Sequence, residues 1–108
     1  MTSTCKLYDI TNNIKVSDLL HNIVELCSSD SNIQKVILYG SWAKGTALIQ
    51  SDIDLAIEGE HLNLENITDA IEQMETLYTV DLVNLSQCKN DLLKEEIGKY
   101  GIEIYSKV

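Results

Sequence analysis

Two aspartates one residue apart, Asp52 and Asp54, stand at the head of a short apolar run, Leu55-Ala56-Ile57. Side chains alternate between the two faces of a β-strand, so Asp52 and Asp54 would project from the same face and Leu55 from the other. Two neighbouring carboxylates repel each other unless a cation lies between them. Mg²⁺ takes oxygen ligands and is commonly shared between carboxylates and substrate phosphates. The pair therefore predicts a metal site for a phosphorylated substrate.

A glycine and a serine, Gly40 and Ser41, precede this pair and directly follow the apolar run Val36-Ile37-Leu38-Tyr39. Glycine lets the backbone turn sharply and approach a ligand closely. A hydroxyl and free N–H groups at the start of a helix favour a phosphate group. Each pattern alone is weak, and Ser-Asp before a strand is ordinary turn chemistry. Their order and separation together indicate a site for a metal-bound nucleoside triphosphate.

A third aspartate, Asp81, lies inside the apolar segment Thr79-Val80-Asp81-Leu82-Val83-Asn84-Leu85, which is typical of a strand. An unpaired carboxylate is costly to bury, so an aspartate in such a strand needs an explanation. One interpretation is an edge strand whose aspartate faces water. The other is a third carboxylate that joins Asp52 and Asp54 if the two strands are neighbours.

The Gly-Ser and Asp-x-Asp spacing resembles the signature of the nucleotidyltransferases of the DNA polymerase β superfamily. A chain of 108 residues resembles in particular the minimal nucleotidyltransferases, or MNT proteins. The resemblance extends from about residue 17 to the end, but its specific part is residues 40–54 and Asp81. It implies that the catalytic and metal-binding residues are Asp52, Asp54 and Asp81, and that the nucleotide- and phosphate-binding residues are Gly40, Ser41, Lys44 and Ser51.

Two positions between the motifs leave alternatives open. Superfamily members often carry basic residues at the positions of Trp42 and Lys44, and here only Lys44 is basic. Lys44 either contacts the triphosphate or is solvated. Trp42 either stacks on a base or packs in the protein, and packing is the favoured interpretation.

The resemblance implies transfer of a nucleoside monophosphate, AMP from ATP, to an acceptor hydroxyl. Asp52 and Asp54 would hold Mg²⁺, as two ions that clamp the attacking and leaving oxygens of an in-line displacement. Asp81 would share one ion and take the proton of the acceptor hydroxyl. Gly40 and Ser41 would hold the terminal phosphates, so that catalysis is mostly positioning and charge neutralisation.

MNT proteins are antitoxins whose partner is a helical HEPN ribonuclease, and they add AMP to a tyrosine of that toxin. The resemblance implies such a partner here. Larger relatives carry a second domain for the acceptor, and 108 residues leave no room for one. We therefore expect another chain, or a second copy in a homo-oligomer, to complete the acceptor pocket. Two alternatives remain: an antitoxin that masks its partner by binding alone, and a transferase that modifies a small molecule such as an antibiotic.

Composition excludes several other classes. The net charge is −9 and all eight basic residues are lysines, which argues against general nucleic-acid binding and against a guanidinium clamp on phosphate. The sequence shows neither a secretory signal nor an apolar run near the ~20 residues of a membrane span, so we expect a cytoplasmic protein. The three cysteines form no C-x-x-C pair, which predicts free thiols, with Cys27 packed.

Apolar spacing predicts one nucleotidyltransferase domain over residues 1–108, of the α/β (α+β) class, with a small mixed sheet of about four strands flanked by helices. Residues 1–15 are a loose arm or a short strand. We expect strands over about 35–39, 53–58, 79–85 and 102–105, and helices over about 18–27 after a Ser17 cap, 64–78 after an Asn63 cap, and from a Ser86 cap to Gly101.

Overall fold

The computed structural model of the chain describes residues 4–74 and 76–107, with the side chains of residues 4–6 and 8 outside the description. One mixed sheet contains β1 (Ile33–Tyr39), β2 (Ile53–Gly59), β3 (Val80–Asn84) and β4 (Ile102–Ser106). The helices are α1 (Thr4–Thr11), α2 (Ile14–Ser28), α3 (Ser41–Lys44), α4 (Leu64–Glu72) and α5 (Asp91–Tyr100), with a 3₁₀ turn at Leu85–Gln87. The predicted mixed sheet flanked by helices is confirmed.

The strand order is β3-β2-β1-β4, with β1 antiparallel to β2 and β4 and with β2 parallel to β3. The parallel pair requires a crossover, which α4 provides. In the register, Tyr39 pairs with Asp54, and Asp54 pairs with Asp81. Paired residues of neighbouring strands project from the same face. Tyr39, Asp54 and Asp81 therefore form a row across three strands at one end of the sheet.

The two faces of the sheet pack against different helices. The larger core joins the strand side chains of one face, such as Leu38 and Leu55, to helix residues such as Leu20 and Ile23, all of which are fully buried. On the opposite face Ile97 of α5 packs in a smaller cluster with Tyr39 and Ala56. The row of Tyr39, Asp54 and Asp81 lies on this second face, so α5 is the helix that borders the predicted site.

The N-terminal region differs from the prediction. Within the described residues, Thr4–Thr11 forms α1, which is neither a loose arm nor a strand, and Leu7 is fully buried in the larger core. The next helix begins at Ile14, because Asn13 caps it by accepting a hydrogen bond from Val16 N at 3.1 Å. The predicted Ser17 cap is wrong, since Ser17 lies inside α2 and is buried.

Two further helix ends were misplaced. The Asn63 cap is confirmed, but α4 ends at Glu72, well before residue 78, and Leu77 is 97% exposed although it continues the apolar spacing. The chain must leave the helix there to enter β3. The last helix is capped by Asn90, whose Oδ1 accepts from Leu93 N at 3.1 Å. Ser86 instead accepts a hydrogen bond from Gly59 N at 3.1 Å, so its hydroxyl ties the end of β3 to β2.

The cysteines follow the prediction where they are described. Cys27 is fully buried and its thiol is free, and Cys88 is also a free thiol. Burial, and secondarily the charge of Asp30, raise the pKa of Cys27 to about 11. The side chain of Cys5 and residues 1–3 lie outside the described residues. Among the described helices, none has the length and apolar character needed to cross a membrane.

Leu20→Ala is expected to lower the free energy of unfolding by about 2–5 kcal/mol, because it leaves a cavity under a fully buried side chain. Leu77→Ala makes the same chemical change at a side chain that is 97% exposed, and we expect a change within about 0.5 kcal/mol. Urea denaturation followed by circular dichroism measures both. Equal losses in the two variants would contradict the assigned core.

Candidate active site

Three carboxylates stand at the end of the sheet where β2 and β3 begin. Asp54 on β2 is half-buried beside its register partner Asp81 on β3, and both Asp81 and Asp52, just before β2, are exposed. Burial raises the pKa of Asp54, and the charges of Asp81, Asp52 and Glu96 raise it further, in that order. We call Asp52, Asp54 and Asp81 the carboxylate cluster. Asp81 is exposed on an edge strand and is also the register neighbour of Asp54, so its role as a third carboxylate of the site stays a prediction.

The donors of the carboxylate cluster suit a hard divalent cation. All are carboxylate oxygens, and the repulsion that raises the pKa of Asp54 would be relieved by a positive charge between them. Across residues 4–74 and 76–107, no group of three His, Cys, Asp or Glu side chains stands close enough to hold an ion. The carboxylate donors of the cluster fit Mg²⁺ by their chemistry. To complete the ligand set, the exposed members Asp52 and Asp81 would have to turn toward Asp54.

The turn at Gly40 brings backbone directly against Asp54. Gly40 has φ 74° and ψ −154°, a conformation essentially restricted to glycine. A Cβ at this position would collide with Asp54 Oδ2 and lie 3.2 Å from Asp54 Cγ. The short helix α3 follows and ends at Lys44, and its C-cap is Gly45, which has a left-handed φ of 76°. Gly40 thus provides a sharp turn and a close approach to Asp54, with the half-buried Ser41 next to it, and its predicted approach to a phosphate stays a prediction.

The loop between α3 and β2 is held by three hydrogen bonds of Ser51, whose N–H donates to the Leu48 carbonyl oxygen at 3.0 Å. Its Oγ accepts from Leu48 N at 2.8 Å, and its carbonyl oxygen accepts from Trp42 Nε1 at 3.0 Å. Trp42 is 6% exposed and contacts Tyr78 edge to face, with ring centroids 6.2 Å apart. Trp42 is therefore packed, and it fixes the loop that leads into Asp52. The Ser51 hydroxyl, a predicted phosphate ligand, here closes the turn.

The basic residue of the site, Lys44, interacts with α5. Its Nζ lies 3.3 Å from Glu96 Oε1 and 5.1 Å from the centroid of the Tyr100 ring. Sequence reasoning missed Glu96. A signal was present. Leu93 and Ile97 pack against the sheet, and Glu96, three positions after Leu93, lies on the same side of α5.

Tyr39 is a second residue of the site that sequence reasoning missed. It is 7% exposed, and burial raises its pKa to about 12, with smaller contributions from the charges of Asp54, Asp81, Glu96 and Cys88. The phenol therefore stays protonated at neutral pH and can donate a hydrogen bond beside the carboxylates. The available signal was its position directly before Gly40 and Ser41, at the end of a strand whose side chains alternate between the two faces of the sheet.

Comparison with protein families decides the class of the chain. The model of the family described as polymerase beta, nucleotidyltransferase, matches residues 21–108. The chain belongs to this family. It is a nucleotidyltransferase, and the predicted resemblance to that superfamily is confirmed.

Individual relatives agree with this assignment. A Methanocaldococcus jannaschii protein, provisionally named a protein adenylyltransferase, is 24% identical over 88 residues, which cover 77% of this chain and 88% of that protein. A toxin–antitoxin crystal structure with AMP-PNP superposes with a TM-score of 0.65 at 20% identity, covering 83% of this chain and 73% of that one. A Shewanella oneidensis complex of tri-AMPylated HEPN toxin with MNT antitoxin gives 0.56 at 17% identity, covering 97% and 74%. The nucleotidyltransferase family of the chain and the MNT-like fold are thus both supported.

Gly40→Ala is expected to lower the free energy of unfolding by about 1–3 kcal/mol or more, since it adds backbone strain and a collision with Asp54. Gly45→Ala is the matched control, because its φ is also positive but a Cβ there meets nothing within 4 Å. We expect Gly45→Ala to cost about 1 kcal/mol through strain alone. Thermal and urea unfolding would show whether Gly40 is the more sensitive glycine, and the opposite order would contradict the close approach.

The raised pKa of Asp54 predicts how stability depends on pH in metal-free protein. Folding favours the protonated carboxyl, so this advantage is present below the unfolded pKa of ~4 and is lost as the pH rises through the higher folded pKa. Asp54→Asn imitates the neutral form and should unfold at a higher temperature than wild type above about pH 5. The difference should shrink as the pH falls toward ~3.5.

Calorimetric scans in EDTA across this range measure the effect. Asp69→Asn, which removes one exposed carboxylate from α4, controls for the change in net charge. A variant of Asp54 that is less stable than wild type at pH 7 would show that the carboxylate is stabilised, not destabilised, by its surroundings.

Proposed function

We propose that this nucleotidyltransferase moves AMP from ATP onto a hydroxyl of a helical, HEPN-type partner protein and so acts as an antitoxin. The observation that carries the proposal is the pairing of Asp54 with Asp81 across parallel strands, next to the Gly40 turn. The relatives supply the acceptor class, since one is named for protein adenylylation and another is an MNT antitoxin bound to an AMPylated HEPN toxin.

The carboxylate cluster would hold Mg²⁺ in the loaded enzyme. Its members Asp52, Asp54 and Asp81 offer only oxygen donors, and the charge of each neighbour raises the pKa of Asp54. Bound Mg²⁺ would neutralise the triphosphate and polarise the phosphorus that is attacked. The exposed positions of Asp52 and Asp81 leave room for a nucleotide to complete the coordination.

The remaining roles fall to the chain's own groups. Asp81, on the open edge of the sheet, would accept the proton of the incoming hydroxyl. Gly40 and Ser41 would bring backbone N–H and hydroxyl donors to the terminal phosphates, so that pyrophosphate departs in line. Lys44 would add positive charge at the same end of the sheet, while Ser51 would act by shaping the loop before Asp52.

The exposure of the site favours a macromolecular acceptor. Both Asp52 and Asp81 are open to solvent, so a tyrosine on the surface of another protein can approach them. A net charge of −9 also suits docking on a basic nuclease. The acceptor pocket would then be completed by that partner, with a second copy of this chain as the alternative.

The deciding experiment is the intact mass of a HEPN-type partner after incubation with this protein, ATP and Mg²⁺. We expect a gain of one or more AMP units and loss of the partner's nuclease activity. Asp54→Asn should lower the rate of transfer about a hundredfold or more, since it removes charge stabilisation at the reacting centre. The control Asp69→Asn should transfer at the wild-type rate.

Two other outcomes would change the function. An unmodified partner that is still fully inhibited, equally by wild type and Asp54→Asn, would indicate an antitoxin that acts by masking. Transfer of AMP to an aminoglycoside without any protein partner would indicate a small-molecule transferase.

Omitting Mg²⁺, with EDTA present, should abolish transfer, and undiminished transfer would refute the metal assignment.

A further inference from the structure

Two residues of α5 surround the ammonium group of Lys44. Glu96 Oε1 lies 3.3 Å from Lys44 Nζ, and the centroid of the Tyr100 ring lies 5.1 Å from it. Glu96 and Tyr100 are four positions apart and so lie on one side of the helix. Lys44 is the last residue of α3, the helix that begins directly after the Gly40 turn. The ammonium group at the end of α3 is therefore contacted by α5.

The carboxylate of Glu96 also reaches the catalytic end of the sheet. Its charge contributes to the raised pKa values of Asp54 and Tyr39, so it lies within electrostatic range of both. The anchor of this arrangement is Ile97, the next residue, which is 4% exposed and packs with Tyr39. Glu96 thus contacts Lys44 and also acts on Asp54 through its charge, from a helix that is packed on the sheet.

We propose that Glu96 is a positioning residue, which together with Tyr100 holds the Lys44 ammonium at the end of α3 so that it contacts the phosphate groups of the nucleoside triphosphate. The proposal rests on the proposed function, because it requires the triphosphate to bind at this end of the sheet.

The physical basis is the flexibility of lysine. A free lysine side chain carries about 2 kcal/mol of rotamer entropy, which binding must overcome. Its ammonium has three donors, so one can bond to Glu96 while two remain for phosphate oxygens. The Lys44 and Glu96 side chains are 34% and 38% exposed, so the pair adds little to stability and its effect lies in orientation.

The sign of the effect distinguishes this role from simple electrostatics. A carboxylate near a triphosphate repels it, so removing the charge of Glu96 would by itself strengthen nucleotide binding. The proposal assigns the favourable effect of Glu96 to its contact with Lys44. The proposal therefore predicts a loss of affinity where charge alone predicts a gain.

The test is calorimetric measurement of the dissociation constant for a non-hydrolysable ATP analogue with Mg²⁺. We expect Lys44→Gln and Glu96→Gln each to weaken binding about threefold, as for an exposed charge pair. The double variant should bind no more weakly than Lys44→Gln alone, because Glu96 favours binding through Lys44 and its direct effect on the triphosphate is repulsion. Glu95→Gln removes the same charge from an exposed neighbour on α5 and should leave affinity unchanged.

Four results would overturn the inference. Tighter binding by Glu96→Gln would show that repulsion dominates, and an effect of Glu96→Gln that persists fully in the Lys44→Gln background would show that Lys44 is not its intermediary. Equal affinities of Glu96→Gln and Glu95→Gln would show that Glu96 does not position Lys44, while the proposed function would stand. Failure of the wild type to bind the analogue at all would overturn the proposed function and, with it, the inference. Thermal unfolding of each variant confirms that the fold is retained.

Discussion

The contact between the Gly40 backbone and the Asp54 carboxylate is the constraint on which the site depends. A side chain at position 40 would force Asp54 to move, since its first carbon would collide with Asp54 Oδ2. On the other side Asp54 pairs with Asp81 in the parallel β2–β3 ladder. Asp54 thus lies between a turn and a like charge. Burial and the neighbouring carboxylates make its charged form unfavourable in the folded protein, and a bound cation can neutralise that charge. A half-buried carboxylate that destabilises the fold in this way is typical of a functional site.

The sequence predicted much of this arrangement because its signals were local. Apolar runs located β1, β2 and β4 to within two residues at each end, and Asp81 stood out as a carboxylate inside an apolar strand. The helix starts were harder to place. Serine and asparagine are about equally good caps, so local chemistry did not favour Asn13 over Ser17 or Asn90 over Ser86. Burial of Ser17 and the bond from Gly59 N to Ser86 come from tertiary packing.

The parts of the site that come from α5 could not be located from spacing alone. Glu96 is separated from Asp54 by 42 positions, and it comes near only because Ile97 packs on the sheet with Tyr39. Lys44 shows the same limit. Its residue type indicated a contact either with the triphosphate or with solvent. The structure adds a carboxylate and an aromatic ring from another helix as its neighbours. Motifs identify the chemistry of the chain, and packing decides which other side chains share in it.

The position of β4 has a consequence for how the protein is made. Strand β1, which leads into Gly40, lies between β2 and β4, and β4 is the last element of the described chain. Pairing of Val36 with Tyr105 spans 69 positions, a contact that forms slowly because a long loop must close first. During synthesis β1 therefore keeps one edge open until residues 102–106 have left the ribosome. The end of β1 that carries the Gly40 turn therefore gains its second neighbouring strand only at the last stage of synthesis of the described chain, so completion of this sheet sets the earliest moment at which the site has its final support.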